Sequence, residues 1–184
     1  MQERSVVEMT TMEEKIDRAK ELIEEAIKKY SKVAVACSFG KDSMVVVHLA
    51  REVDPNIKIF SVMTQYKPRE TFEYLKLMNK RMNLGATVYM VADSVPDILR
   101  DDSVEVILLP TEEFNQKASQ IKTESGSMIY EINPDECCRL LKVEPTKAAV
   151  GNLDAWITGL RCTEGRTRVD YQEIEEKGGL VKVN

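Results

Sequence analysis

The sequence has 184 residues, of which 43% are hydrophobic and 31% charged, and its 31 Asp and Glu against 26 Lys and Arg give a net charge of −5. This length supports one domain with a proper core, and the acidic balance argues against general affinity for nucleic acid or anionic membranes. The longest apolar run, near residues 44–50, is too short to cross a bilayer, and the N-terminus lacks the layout of a secretory signal. We therefore expect a cytoplasmic protein with a flexible N-terminus over residues 1–11 and a single domain over 12–184.

Segments typical of helices and strands alternate along the chain. Apolar residues at helical spacing predict an amphipathic helix over 12–30, and a short β-prone run over 33–38 predicts a buried strand. The next segments predict a helix (44–52), a strand (57–63), a helix opened by Pro68 and ending near Gly85, and a strand (86–92).

The second half of the sequence has weaker patterns. Its segments fit a strand or an apolar helical turn (104–109), a helix (112–122), an extended stretch (126–132), a helix interrupted near Pro145 (139–150) and a buried strand (154–160). The alternation predicts an α/β fold, a three-layer doubly wound parallel sheet with helices on both faces.

The junction between the first strand and the next helix carries the clearest functional signal. Its residues are Ser38, Phe39, Gly40, Lys41, Asp42 and Ser43. Glycine lets a backbone approach a phosphate closely, and the N–H groups at a helix start favour an anion. Lys41 adds a positive charge, the serine hydroxyls add donors, and Asp42 suits a magnesium ion that bridges phosphates. The alternative is an exposed strand-to-helix turn without a ligand.

Three arginines follow the last predicted strand, at Arg161, Arg166 and Arg168. Guanidinium groups bind sulfate and phosphate oxygens in a bidentate manner, so these residues could supply the positive charge that an acidic chain otherwise lacks. A solvated surface run is the alternative.

The four cysteines are Cys37, Cys137, Cys138 and Cys162. The adjacent pair Cys137 and Cys138 is poorly suited to a structural disulfide, so metal or redox chemistry and two merely packed thiols both stay open. For Cys37 we expect buried packing beside the loop.

Two stretches of the sequence resemble a known family. The loop resembles the SGGxDS loop of the PP-loop ATP pyrophosphatases, with Phe39 in place of one glycine. The stretches NPDECCRLLKVEP (133–145) and AWITGLRCTEGRTR (155–168) resemble the sulfonucleotide reductases. Those enzymes reduce phosphoadenylyl sulfate or adenylyl sulfate and belong to the PP-loop adenine nucleotide alpha hydrolase superfamily. The similarity covers roughly residues 25–183 and implies a Rossmann-like fold of that superfamily. It also implies that the six loop residues bind the nucleotide, together with Thr64, Gly159, Arg161, Arg166 and Arg168.

The resemblance further implies a cofactor, a substrate and a partner. Cys137 and Cys138 would be two of the four ligands of a 4Fe-4S cluster, with Lys142 as electrostatic support. The substrate would be adenylyl sulfate or its 3′-phosphorylated form, and a thioredoxin-like protein would be the reductant. In the family, the catalytic cysteine and a Cys-x-x-Cys pair lie in a C-terminal portion that has no counterpart here. We therefore expect this chain to bind the nucleotide without turning it over.

Two departures from the family keep alternatives open. Typical reductases lack Lys41-Asp42-Ser43 in their loop, and Met63 stands where the family has an aspartate. The first favours pyrophosphatase-like use of ATP or an older form of the reductase, and the second removes a carboxylate that would normally help hold adenosine or metal. The alternative is an ATP pyrophosphatase-type adenylyl transferase, similar to the ATP sulfurylase small subunit or FAD synthetase, which would use ATP with Mg²⁺. A non-catalytic nucleotide-binding module is the third hypothesis. The sequence leaves the choice of sulfonucleotide and the oligomeric state open, a homo-oligomer included.

Overall fold

The structure is a computed structural model that describes residues 11–100, 103–160 and 172–184. Its helices are α1 (Met12–Lys29), α2 (Lys41–Val53), α3 (Arg69–Arg81), α4 (Glu112–Ser125), α5 (Ile129–Ile132), α6 (Pro134–Cys138) and α7 (Glu144–Val150). Its strands are β1 (Val33–Ala36), β2 (Lys58–Val62), β3 (Thr87–Val91), β4 (Glu105–Leu109), β5 (Ala155–Ile157), β6 (Ile174–Lys177) and β7 (Leu180–Val183). A 3₁₀ turn covers Asp97–Leu99, and a π-helical turn covers Arg139–Val143.

The seven strands form one sheet in the order β4-β3-β2-β1-β5-β7-β6. All pairs are parallel except β6 with β7, which form a hairpin. The chain builds outward from β1 through β2 to β4 and then crosses back to β5, so the doubly wound sheet is confirmed. The hairpin was not predicted; its turn is made by Gly178 and Gly179, whose φ angles of 62° and 82° are those that a tight hairpin requires.

Helix α1 begins with a capping box. The Glu14 backbone N–H donates to the Thr11 hydroxyl over 3.2 Å, and the Thr11 N–H donates to the Glu14 carboxylate over 3.0 Å. Thr11, the last residue of the stretch for which we expected flexibility, is the N-cap of the helix. Residues 1–10 lie outside the described residues. The helix buries Leu22, Ile23 and Ala26 against the sheet.

Helices cover both faces of the sheet. On one face, α1, α2 and α3 enclose the main core, in which Val35, Val47 and Leu75 are fully buried. On the other face, Ala149 and Val150 of α7 pack against the sheet, and the ring centroids of Phe60 and Trp156 lie 6.2 Å apart there. Within the described part of the chain, no helix is both long and apolar enough to cross a membrane.

The segment between β4 and β5 differs most from the prediction. Residues 126–132, which we expected to be extended, include the short helix α5. The helix expected over 139–150 starts at Pro134 and contains the π turn, where the Glu144 N–H donates to the Arg139 carbonyl. Pro145 follows directly and has no N–H to donate, so the normal α-helical ladder is interrupted at this point.

Candidate functional site

The predicted loop lies at the carboxyl end of β1, where α2 begins. The Ser43 hydroxyl donates to the Gly40 carbonyl over 3.0 Å, and the Ser38 and Ser43 hydroxyl oxygens are 3.2 Å apart. Gly40 is the N-cap of the 13-residue helix α2, so the helix dipole and its free N–H groups are directed at the loop. The structure therefore brings Ser38, Gly40, Lys41, Asp42 and Ser43 together at one helix N-terminus. An exposed Lys41 supplies the nearby positive charge.

The conformational demand in this loop falls on Phe39 and not on Gly40. Phe39 has a φ of 56°, in the left-handed region that favours glycine, and its side chain is 5% exposed. Gly40 has a φ of −88°, and a Cβ there would meet the Ser38 hydroxyl at an ordinary 3.5 Å. The fold itself thus tolerates a side chain at position 40, and burial of the phenyl ring offsets the strain at position 39.

Gly159 lies against the start of α2. A Cβ at this position would lie 3.2 Å from the Asp42 carbonyl group and 3.1 Å from the Val46 side chain. The neighbouring Thr158 is buried and donates from its hydroxyl to Asn184 over 2.9 Å, which fixes the end of β5 beside β7. The chain after β5 therefore leaves the sheet next to the loop. Arg161, Arg166, Arg168 and Cys162, which follow, lie outside the described residues.

A cavity of about 520 Å³ opens at the carboxyl end of β2, the strand paired with β1. It is lined by Thr64, Tyr66, Lys67, Tyr130, Pro134, Cys137, Cys138, Leu141 and Lys142. The cavity thus unites Thr64 with Cys137, Cys138 and Lys142, which the sequence placed in the site only through the family resemblance. Met63, at the position of the family's aspartate, is fully buried and contributes to the core instead.

Sequence reasoning missed three of the lining side chains, Tyr66, Lys67 and Tyr130. The first two follow the carboxyl end of β2, and their position after a predicted strand was the available signal. Tyr130 belongs to the stretch that we expected to be extended. The Tyr66 and Tyr130 rings form an edge-to-face pair with centroids 5.0 Å apart, and Tyr66 also packs on the buried ring of Phe114.

The cavity changes the acidity of the groups around it. Burial raises the pKa of the Cys137 thiol, the nearby Lys142 ammonium lowers it and Cys138 raises it. Burial also raises the pKa of Tyr66; a hydrogen bond with Gln65 lowers it, and proximity to Cys137 and then Tyr130 raises it. Cys137 is buried and Cys138 half-buried, and both thiols line the cavity.

The described residues offer two thiol ligands here and no complete metal site. In the described ranges, no group of three or more His, Cys, Asp or Glu side chains is arranged so that it could hold a metal ion. Cys37 packs beside the loop, with its sulfur 3.7 Å from the Ser43 hydroxyl and from the Met44 sulfur, and it does not line the cavity. Burial raises the pKa of Cys37 as well, which suits the packing role that we predicted. Cys137 and Cys138 are therefore the two thiols that the described part of the chain supplies to the cavity.

A network of ion pairs holds the cysteine-bearing helix in place. Arg139 contacts Glu113 on α4, Glu136 on α6 at 2.7 Å and Glu144 on α7 at 3.5 Å. Lys117 on α4 also pairs with Glu136. These contacts join residues up to 26 positions apart, so the position of the thiols depends on tertiary contacts.

Comparisons with known proteins identify the family of the chain. The family described as phosphoadenosine phosphosulfate reductase domain has a model that matches residues 32–184. The chain is similar to adenosine 5′-phosphosulfate reductase 2 of Bacillus subtilis (strain 168), with 29% identity over 154 residues, 83% of this chain and 56% of that protein. It is also similar to adenosine 5′-phosphosulfate reductase of Bacillus cereus (strain Q1), with 27% identity over 152 residues, 82% of this chain and 56% of that protein. The chain thus spans a little over half the length of these relatives.

A solved structure supports the fold. The chain is similar to the NH3-dependent NAD synthetase from Campylobacter jejuni subsp. jejuni NCTC 11168 in complex with the nitrate ion, with a TM-score of 0.51 and 12% identity. The match covers 85% of this chain and 59% of that one. At this identity the likeness shows the fold alone, and it confirms the Rossmann-like α/β architecture predicted from the sequence.

Proposed function

The chain belongs to the phosphoadenosine phosphosulfate reductase domain family, and from this membership we propose that it is the nucleotide-binding part of a sulfonucleotide reductase. One observation carries the proposal: a cavity at the carboxyl end of β2, the strand paired with β1, is lined by Thr64, Cys137, Cys138 and Lys142. A nucleotide on the loop would therefore have its reacting end close to the two thiols.

In this proposal the loop holds the 5′-phosphate of adenylyl sulfate or of its 3′-phosphorylated form. The N–H groups at the start of α2, the Ser38 hydroxyl and the Lys41 ammonium are the donors. Because a Cβ at Gly40 meets only Ser38 within 4 Å, the backbone at this position is open to a ligand. The proposal retains nucleotide-binding roles for Gly159 and for Arg161, Arg166 and Arg168.

The cysteine pair is proposed as half of an iron–sulfur site. Cys137 and Cys138 would hold it with two further thiolates from outside the described residues, and a 4Fe-4S cluster would supply a redox-active, charged group beside the cavity. Burial raises the pKa of Cys137, and the Lys142 ammonium opposes this rise in part. Ligation would itself require the thiolate form.

The reaction proposed for the whole protein is a thiol-dependent reduction. A cysteine thiolate outside the described residues attacks the sulfur of the substrate, an S–S bond forms, and the bond from sulfur to the phosphate oxygen breaks. The leaving group is AMP from adenylyl sulfate, or adenosine 3′,5′-bisphosphate from the 3′-phosphorylated form. One thiolate of a thioredoxin-like dithiol then attacks the cysteine sulfur, and sulfite leaves with the electron pair of the S–S bond. The second thiolate attacks the resulting mixed disulfide, which releases the cysteine thiolate and leaves the dithiol oxidised to a disulfide. A cytoplasmic location, where such dithiols stay reduced, belongs to the same proposal.

Calorimetric titration with adenosine 5′-phosphosulfate in the absence of magnesium tests the nucleotide site. We expect binding by the wild-type chain and weakening of about ten-fold in Lys41→Met, because one charge-assisted hydrogen bond is lost. Lys58→Met is the matched control, since Lys58 is exposed at the opposite end of β2. Pyrophosphate release from ATP that requires magnesium, without binding of the sulfonucleotide, would contradict the proposal and favour an adenylyl transferase.

The iron–sulfur site has a separate test. Anaerobic purification of the full-length protein should give a brown chromophore that is lost in Cys138→Ser and kept in Cys37→Ser, because Cys37 does not line the cavity. A colourless wild-type protein would remove the cluster from the proposal and leave nucleotide binding untouched.

A further inference from the structure

The cavity beside the cysteine pair concentrates positive charge in an acidic chain. Its described lining contains Lys67 and Lys142 and no carboxylate, although the sequence has 31 acidic residues against 26 basic ones. Lys67 comes from the turn after β2, and Lys142 comes from the π turn. Two different elements thus bring one ammonium group each to the same space.

Neither ammonium group is neutralised within the described ranges. Three carboxylates on the helices around the cysteine pair are paired with other cations: Glu113 and Glu136 with Arg139 and Lys117, and Glu144 with Lys147 at 2.9 Å. Lys142, three residues after Arg139, is left out of this network and instead acts electrostatically on Cys137. Two like charges on one cavity repel each other, and a bound anion removes that repulsion.

The backbone that carries Lys67 is fixed, while its side chain has no salt bridge among the described residues. The Lys67 N–H donates to the Thr64 carbonyl over 3.1 Å, and Thr64 is buried. The preceding Tyr66 is held by its ring contacts with Phe114 and Tyr130. The turn therefore presents the lysine to the cavity without depending on a salt bridge that a ligand would have to break.

The cavity is placed to receive the end of a nucleotide whose phosphate lies on the loop. Strands β1 and β2 are paired with Ala36 opposite Phe60, so the loop after β1 and the turn after β2 are neighbours at one sheet edge. The volume of about 520 Å³ is ordinary for a small-molecule site. A lysine point charge suits a tetrahedral oxyanion.

We infer that Lys67 binds the terminal oxyanion of the nucleotide together with Lys142, and so distinguishes adenosine 5′-phosphosulfate from AMP. The inference rests on the proposed function, because it takes the 5′-phosphate to lie on the loop. The recognised group is a sulfate or phosphate attached to that 5′-phosphate. Lys67 is an additional specificity-determining residue of the site.

Calorimetric titration of Lys67→Met with three nucleotides tests the inference. AMP lacks the terminal group, adenosine 5′-phosphosulfate carries sulfate there, and ADP carries phosphate. We expect the dissociation constants of the last two to rise about ten- to a hundred-fold, as for a lost charge-assisted contact, while that of AMP changes less than about two-fold. Lys67→Arg should restore most of the affinity because it keeps the cation, and Lys58→Met should resemble wild type.

The outcomes separate the inference from the proposed function. Wild-type chain that binds none of the three nucleotides would overturn both. Wild-type binding of adenosine 5′-phosphosulfate with an unchanged Lys67→Met would overturn the role of Lys67 alone, and so would an equal loss for AMP and the sulfonucleotide. A loss for ADP but not for the sulfonucleotide would also overturn it, whereas a loss for both supports recognition of the shared oxyanion. Circular dichroism of each variant checks that the fold is intact.

Discussion

The two halves of the site are built in different ways. The phosphate loop joins two consecutive elements, β1 and α2, and its key groups lie within six residues of one another. The cysteine half draws on the β2 turn and on the helices between residues 112 and 150, and ion pairs across those helices hold it. Local sequence thus specifies the loop at the start of α2, whereas tertiary contacts specify the position of the two thiols.

The loop half is expected to depend most on one strained and buried side chain. Phe39→Ala should destabilise the protein by about 3–5 kcal/mol, because it removes a buried ring but keeps the left-handed backbone. Phe39→Gly should be roughly 0.5–1 kcal/mol less destabilised than Phe39→Ala, because glycine adopts this φ without strain. Urea unfolding measures both. An alanine variant that is more stable than the glycine variant would show that the strain is absent.

Two glycines sharpen the distinction between folding and binding within the same half. Gly159→Ala should destabilise the fold by about 1–3 kcal/mol, because the new Cβ would press on the Asp42 backbone. Gly40→Ala should lower the free energy of unfolding by less than about 1 kcal/mol, since it replaces only an N-cap residue with space around it. It should nevertheless abolish tight nucleotide binding. Unfolding and titration are measured on both variants. Normal binding by Gly40→Ala would mean that the nucleotide does not approach this backbone.

The cysteine half should respond to loss of its ion-pair network. Arg139→Met is expected to lower stability by about 1 kcal/mol, a modest value because the side chain is 37% exposed. The helices that carry the thiols should loosen, so alkylation of Cys138 by iodoacetamide should become faster. Arg69→Met removes a single exposed pair with Glu73 and serves as the control, with little effect on either measurement. Unchanged alkylation would show that the network does not position the thiols.

The smallest effect is expected outside both halves, in the β6–β7 hairpin. Glu175 and Lys182 lie opposite each other and pair at 3.0 Å, and the hydrogen bond from Lys182 lowers the pKa of Glu175. A lowered pKa gives stability that is present above the ordinary glutamate value of about 4.3 and is lost as the pH falls through the lowered one. Lys182→Met should therefore lower the free energy of unfolding by roughly 0.2–1 kcal/mol at pH 7. This loss should shrink in acid, where Glu175 becomes protonated. Thermal unfolding of the wild type and of Lys182→Met at pH 7 and in acid measures this loss of stability. An equal loss under both conditions would show that it does not come from the pairing of Lys182 with ionised Glu175.

The predictable parts of the structure were those with strong local patterns. The helices α1, α2 and α3 and the strands β1, β2 and β3 follow the sequence prediction within a few residues, because each buries a continuous apolar stripe or run. Residues 126–132 were wrongly expected to be extended. Their helix α5 is only four residues long, too short to show a helical period.

By itself the sequence determined the doubly wound architecture and the loop at the start of α2, and family resemblance predicted that Cys137 and Cys138 belong to the site. Only the tertiary structure decided that Lys67, Tyr66 and Tyr130 share a cavity with those thiols. The physical reason is that a strand or helix is encoded by neighbours in the chain, whereas a cavity is formed by residues from several elements that meet only when the sheet is assembled. The left-handed backbone of Phe39 was also decided by the tertiary structure, because packing of its ring in the core stabilises a φ angle that the local sequence does not favour.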